Sequence, residues 1–314
     1  MQPLDFLSQN PALRCIAYRK RNFQTSLSEE LKGMKTIFTQ SLRWSLLVAL
    51  ICFSGIIIAG QNKDKEKYKV REFCSENWSN GEKASFNEIR DMTLKSTGSL
   101  TVDAGRNGGI KVKGENRSDV LVRACVKTWG TTEEAAKALA KDVRIATEPS
   151  IRTEGMGDEK DWSVSYEILV PTATDLKLTA SNGGISIYAV DGNIEFLTTN
   201  GGVSLIQLAG NVKGRTTNGG VSVKLSGNTW KGTGLDVETT NGGVMLVMSE
   251  NYSAHFETKT VNGGFNSEVA GLFVEKDEYG RKQGVTISKD INGGGALVRV
   301  VTTNGGVKIA TPQD

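Results

Sequence analysis

Histidine is nearly missing from this 314-residue chain, which has one, His255. The nucleophile–base pairs and metal clusters that depend on imidazole are thereby almost excluded. His255 stands beside Phe256, and a surface or loop position is expected for it. Proline is scarce as well, 5 residues against 36 glycines, a balance that suits a β protein with many corners. The short catalytic signatures are absent too: there is no Gly-x-Ser-x-Gly, no phosphate-cradling loop, no Cys-x-x-Cys and no Asp-rich calcium nonapeptide. No catalytic residue, cofactor or metal is expected.

Net charge is also lacking once the chain is divided. Residues 1–60 hold seven Lys or Arg and three Asp or Glu, so the remainder has 38 − 7 = 31 basic and 35 − 3 = 32 acidic residues. A nucleic-acid partner would want a basic stripe on the folded part, and none is evident. From Met34 the chain reads as an export segment: Lys35 and Arg43 form a basic start, 46–58 an apolar run, and Ile58-Ala59-Gly60 a cleavage neighbourhood. Residues 34–60 are therefore a signal peptide or a single-span anchor, and 1–33 either a polar leader or an over-extended start, with translation from Met1 or Met34. An extracytoplasmic location follows, with membrane contact only through the N-terminal segment if it stays uncleaved. Of four cysteines, Cys15 and Cys52 belong to the leader. Cys74 and Cys125 remain, either as one disulfide, which an oxidising compartment favours, or as two buried thiols.

What the sequence has in quantity is one repeated phrase. Thr198-Thr199-Asn200-Gly201-Gly202-Val203-Ser204-Leu205 has close copies centred on Asn182, Asn218, Asn241, Asn262 and Asn304, with an outlier at Asn107. The spacings from Asn182 onward are 18, 18, 23, 21 and 42, and the last suggests a degenerate copy between Asn262 and Asn304. Six residues before the Asn stand Leu176, Ile194, Val212, Leu235, Phe256 and Val298; three after it stand Ile185, Val203, Val221, Val244, Phe265 and Val307. These apolar columns alternate with polar ones, as strands with one buried face do. Each unit reads as strand, Gly-rich corner, strand.

The regular spacing predicts a parallel β-solenoid of seven or eight coils. The corner residues are expected to adopt the left-handed backbone region, with stacked Asn amides bridging the coils. Charges five residues before the Asn, namely Lys177, Glu195, Lys213, Asp236, Glu257 and Arg299, mostly alternate in sign, which favours stacking in register. The alternative is an antiparallel β-sandwich of hairpins, since Asn-Gly between strands is also a strong hairpin signal.

The phrases TTNGGVSL, TTNGGVSV, TTNGGVML and TTNGGVKI resemble the repeat of the bacterial putative-adhesin family of exported β-helical proteins, over about residues 98–310. The resemblance implies a β-solenoid outside the cytoplasm and brings no catalytic residues with it.

Around the repeats, 61–97 divides into a charged linker, 61–72, and an irregular stretch, and 98–314 forms the repeat domain. One helix is expected at about 131–143, with Thr131 as N-cap, Glu134 completing a capping box, and Ala135, Ala138, Leu139 and Val143 on one face, covering the open end of the stack. A charged protrusion at 275–284 interrupts the array. The outward Ser186, Ser204 and Ser222 form a small polar stripe along which an envelope polysaccharide could lie; a surface protein is the other candidate partner. The expectation is a non-enzymatic, adhesin-like binding or structural protein of the cell envelope. The alternatives are a β-helical polysaccharide lyase or hydrolase using Asp236, Glu238 and Glu257, and an envelope-stress or regulatory protein acting through a partner.

Overall fold

The computed structural model describes residues 73–74, 83–154, 161–272 and 284–312. The export segment, the charged linker and nearly all of the 275–284 protrusion lie outside the described residues. Among the described residues no helix is long and apolar enough to cross a membrane.

Strands form where apolar and polar residues alternate, and they begin well before the repeats. β1 (Ala84–Lys95), β2 (Ser99–Asp103), β3 (Ile110–Glu115) and β4 (Asp119–Gly130) precede helix α1 (Glu133–Asp142), which is followed by β5 (Arg144–Ala146), β6 (Ile151–Glu154) and β7 (Trp162–Pro171). The repeated units then supply strands in pairs. These are β8 (Asp175–Ala180) with β9 (Ile185–Tyr188), β10 (Asp191–Thr198) with β11 (Val203–Ile206), and β12 (Ala209–Asn218) with β13 (Val221–Lys224). β14 (Gly234–Asn241) with β15 (Val244–Val247) and β16 (Ala254–Thr260) with β17 (Phe265–Ser267) follow. A lone β18 (Thr286–Ile291) comes before the last pair, β19 (Leu297–Asn304) and β20 (Val307–Ala310).

The two strands of a unit enter different sheets. The first sheet runs β1-β4-β7-β3-β9-β11-β13-β15-β20-β17, and the second β18-β16-β19-β14-β12-β10-β8-β2-β6-β5. Inward residues of both sheets join one apolar cluster, with Leu205, Val223, Leu246 and Ile309 from the first and Ile194, Val212, Leu235 and Val298 from the second. Truncating one of these to Ala would cost about 2–5 kcal/mol, because so closely packed a site relaxes only in part.

This arrangement corrects the expected single parallel β-solenoid. Two ten-stranded mixed sheets form instead, with β1, β4 and β7 antiparallel in the first and β5–β6 and β16–β18 antiparallel in the second. The layering is sandwich-like, yet the repeats are not the hairpins of the alternative, since copies pair in parallel. Apolar columns specify which face of each strand is buried; they do not specify how the flanking strands join, and β1 and β4, at 12 residues each, are too long to be arms of an 18-residue unit.

Stacking order also departs from chain order. The last pair, β19 and β20, lies between the pair before it and the pair before that, with β19 between β14 and β16 and β20 between β15 and β17. No degenerate copy fills the 42-residue spacing among the described residues; β18 occupies part of it and pairs antiparallel with β16. In true spatial order the outward charges run Lys177, Glu195, Lys213, Asp236, Arg299, Glu257. The alternation is now strict.

The Asn amides bridge neighbouring copies as expected, but the corner backbone is not left-handed. At the seven repeat corners, from Asn107 to Asn304, neither the Asn nor either Gly has positive φ; of the Asn-Gly-Gly phrases only the Asn292-Gly293-Gly294 turn after β18 is left-handed. The first Gly is required by close approach instead: a Cβ on Gly201 would lie 2.0 Å from the Gly183 carbonyl oxygen, and one on Gly219 2.1 Å from that of Gly201. Those same carbonyls accept hydrogen bonds from buried threonines, Thr198 to Gly183 and Thr216 to Gly201, both at 2.8 Å. Outside them the Asn amides form a continuous chain. Asn182 donates to Asn107 at 3.2 Å, Asn200 to Asn182 at 2.7 Å, and Asn218 to Asn200 at 2.8 Å. Asn241 donates to Asn218 at 2.7 Å, Asn304 to Asn241 at 2.7 Å, and Asn262 to Asn304 at 2.8 Å.

Helix α1 packs on β1 and β4. Its N-cap is Thr132, whose side chain accepts from the Ala135 amide at 3.2 Å, so the capping box expected of Thr131 and Glu134 does not form. The buried face is Ala136, Ala140 and Val143, while Ala135 and Ala138 face solvent; an Ala-rich helix offers two small-residue faces, and the pattern alone does not choose between them.

Candidate functional site

The outer face of the first sheet carries a groove of about 1000 Å³ that crosses the strands. Its floor is the row of second glycines, Gly109, Gly184, Gly202, Gly220, Gly243, Gly306 and Gly264. Each step between adjacent strands is about 4.8 Å, so six steps give a length of about 29 Å. The groove exists because inward residues at the next position (Val203, Val221 and their equivalents) leave only glycine to cover the outer surface.

The floor offers little hydrogen bonding. The carbonyls of Gly202, Gly220 and Gly243 accept from the amides of Ile185, Val203 and Val221 at 3.0, 2.9 and 2.9 Å, so what faces outward is largely Cα methylene. Along one side runs a row set by register: Lys111 beside Ser186, Ser186 beside Ser204, Ser204 beside Ser222, then Met245 and Lys308. The expected serine stripe thus lies within the groove. Ser186, Ser204 and Ser222 make no side-chain hydrogen bond among the described residues. The lysines at either end are neutralised, Lys111 by Glu167 at 2.7 Å and Lys308 by Glu268 at 3.6 Å.

Phe73 joins the lining of this groove. Its neighbour Cys74 is joined to Cys125, 51 residues away, as one of the two alternatives foresaw. Cys125 lies opposite Ser165 in the register, and Ser165 accepts from the Gly109 amide at 3.2 Å. The disulfide therefore fastens Phe73 to the sheet where the groove floor begins. By the chain-entropy account a closed loop of that size stabilises by about 4 kcal/mol.

The acidic cluster weighed as a hydrolytic alternative lies on the second sheet. Arg299 contacts Asp236 at 2.5 Å, Glu238 at 2.7 Å and Glu257 at 3.8 Å, and Arg215 approaches Glu238 at 3.3 Å. Burial opposes the charge on Arg299, but the hydrogen bonds it donates to Glu238 and Asp236 outweigh it and raise its pKa above the ordinary value. Three carboxylates gathered on one guanidinium make an ion-pair network.

His255 has a setting that residue spacing along the chain did not reveal. Nδ1 lies 2.7 Å from Asp290, and Nε2 lies 3.3 Å from Glu257 and 3.4 Å from the Ser288 hydroxyl. The order serine, imidazole, carboxylate has the outline of a nucleophilic triad. The hydrogen bond to Asp290 raises the His255 pKa most, partial burial opposes the rise, and Glu257 adds to it. A carboxylate lies at each ring nitrogen, and the Ser288 hydroxyl is shared between Nε2 and Glu257, which it approaches at 3.5 Å. Ser288 and Asp290 are 33 and 35 residues from His255, and only the antiparallel pairing of β16 with β18 brings them together.

No protein-family model matches the sequence, and no curated protein matches it. Among solved structures, one similar to this chain is a putative cell adhesion protein from Clostridium sporogenes, 12% identical, covering 72% of this chain and 100% of that one with a TM-score of 0.42. A putative adhesin from Bacteroides fragilis is 11% identical, with 72% and 97% covered and a TM-score of 0.35. A putative lipid binding protein from Parabacteroides distasonis is 8% identical, with 71% and 96% covered and a TM-score of 0.26.

Proposed function

We propose that this is an extracytoplasmic, non-catalytic binding protein of the adhesin-like kind, and that the groove on the first sheet is its contact surface for an extended envelope polymer. One observation carries this: the groove is built from the same two positions of successive repeats, a bare glycine and an outward side chain, over about 29 Å. A surface that repeats along one axis suits a ligand that repeats along one axis, where many weak contacts add to useful avidity. The ion-pair network around Arg299 and the doubly held His255 favour binding over hydrolysis.

The test is co-sedimentation of the purified full-length protein with isolated cell envelopes and with insoluble polysaccharides, scored together with release of new reducing ends. Ser204→Trp places an indole in the middle of the groove on an outward position, and is expected to abolish co-sedimentation while leaving the melting temperature unchanged. Undiminished co-sedimentation of that variant would reject the groove as the contact surface. Release of reducing ends by the wild type would reject the non-catalytic reading.

A further inference from the structure

We infer that the groove's occupant is a linear stretch of uncharged glycan, and that Gly202, Gly220 and Gly243 are the residues that admit it. The inference rests on the groove being the binding surface. Its starting point is a difference between the two glycines of each corner. The first cannot be replaced without collision, as its Cβ would fall about 2 Å from a neighbouring carbonyl. The second has no such constraint at the centre of the groove: a Cβ on Gly202 would lie 3.6 Å from the nearest atom, and on Gly220 or Gly243 3.4 Å, ordinary van der Waals contact. Nor does any of the three have the positive φ that would call for glycine. Backbone conformation and packing leave these glycines unexplained, and a methyl on each would rise from the groove floor.

The chemistry of the occupant follows from what the groove lacks and holds. It has no uncompensated charge, since Lys111 and Lys308 are each paired with a glutamate; a polyanion would find no complementary field. Its floor carbonyls are already used between strands, so an added peptide strand would gain no backbone partners there. An acyl chain would suit the methylene floor but would cover the unbonded hydroxyls of Ser186, Ser204 and Ser222 without giving them partners, which is unfavourable. A glycan ribbon satisfies both surfaces. Its C–H face lies on the glycines, and hydroxyls recurring along its edge meet three serine hydroxyls spaced about 4.8 Å apart.

The experiment measures binding of the full-length protein to cellohexaose, chitohexaose, oligogalacturonate and palmitate by calorimetry, for the wild type and two double variants. Gly202→Ala with Gly220→Ala is expected to melt like the wild type and to bind a neutral oligosaccharide roughly tenfold or more weakly, since one methylene misplaced in a fitted site has that effect. Ser204→Ala with Ser222→Ala, which removes hydroxyls and adds no bulk, is expected to weaken binding by about three- to tenfold for each hydroxyl lost, and stands independently if the alanine variants at the glycines fold poorly. Tight binding of palmitate or oligogalacturonate in preference to the neutral sugars, abolished by Ser204→Trp, would overturn the ligand class and leave the groove in place. Unaltered sugar binding by both double variants would overturn the roles given to the glycines and serines. Failure of all four probes, together with envelope co-sedimentation that Ser204→Trp does not affect, would overturn the groove itself.

Discussion

Glycine at the first corner position is a contact between repeats. Gly201→Ala would press a methyl against the Gly183 carbonyl oxygen, 2.0 Å away, and relief requires the strands to part. Overpacking of this kind costs about 1–3 kcal/mol, and more where backbone must move; the expected result is a clear fall in melting temperature, against none for Gly202→Ala. Equal effects at the two positions would show that the corners do not distinguish them. The two columns that flank these glycines, Asn and Thr, are legible in the sequence as structural, because their period coincides with the apolar one. The reason for the glycines is not. Local chain chemistry points to left-handed φ, whereas the real constraint comes from a carbonyl 18 residues away. The groove shares this property: Ser186, Ser204 and Ser222 can be picked out as one outward stripe, but Phe73 enters it only through the Cys74–Cys125 bond, which connects segments the repeat does not include.

At the scale of elements, the last pair of strands explains a charge order that looks imperfect along the chain. Consecutive in sequence, Asp236 and Glu257 would be like charges on adjacent strands; with β19 between them, each faces Arg299. Each such pair contributes only a few tenths of a kcal/mol, so the ladder favours one stacking order without alone deciding it. The misplacement of the unit could not be read from the apolar columns, since Phe256 and Val298 fit the same slot equally well. β18 gives the second test. His255 on β16 joins it through Asp290, and the folded-state pKa of His255 is raised above the ordinary value. A raised histidine pKa contributes stability that is complete below about pH 6.5 and is lost as pH rises through the folded value. Amide exchange of β18, corrected for intrinsic rate, should therefore accelerate as the pH is raised above about 6.5. His255→Asn should remove that acceleration, and a pH-independent rate in the wild type would show that the imidazole does not hold the strand.

For the whole molecule, legibility ends where the repeat ends. Units with identical faces predict a stack that grows by addition at one end, whereas the protein places its final unit inside both sheets. The consequence is testable by truncation. In a linear array, removing residues 297–314 would shorten the stack by one unit and leave the rest cooperative. Here it removes a strand with two neighbours from each sheet, so the truncated chain is expected to lose its cooperative melting transition altogether; a sharp transition at slightly lower temperature would show that β16 and β17 can settle directly on β14 and β15. Synthesis gives the same feature a temporal meaning. β16 and β17 leave the ribosome before β19 and β20, the strands that join them to β14 and β15, so they stay without their parallel neighbours until later residues of the chain have emerged.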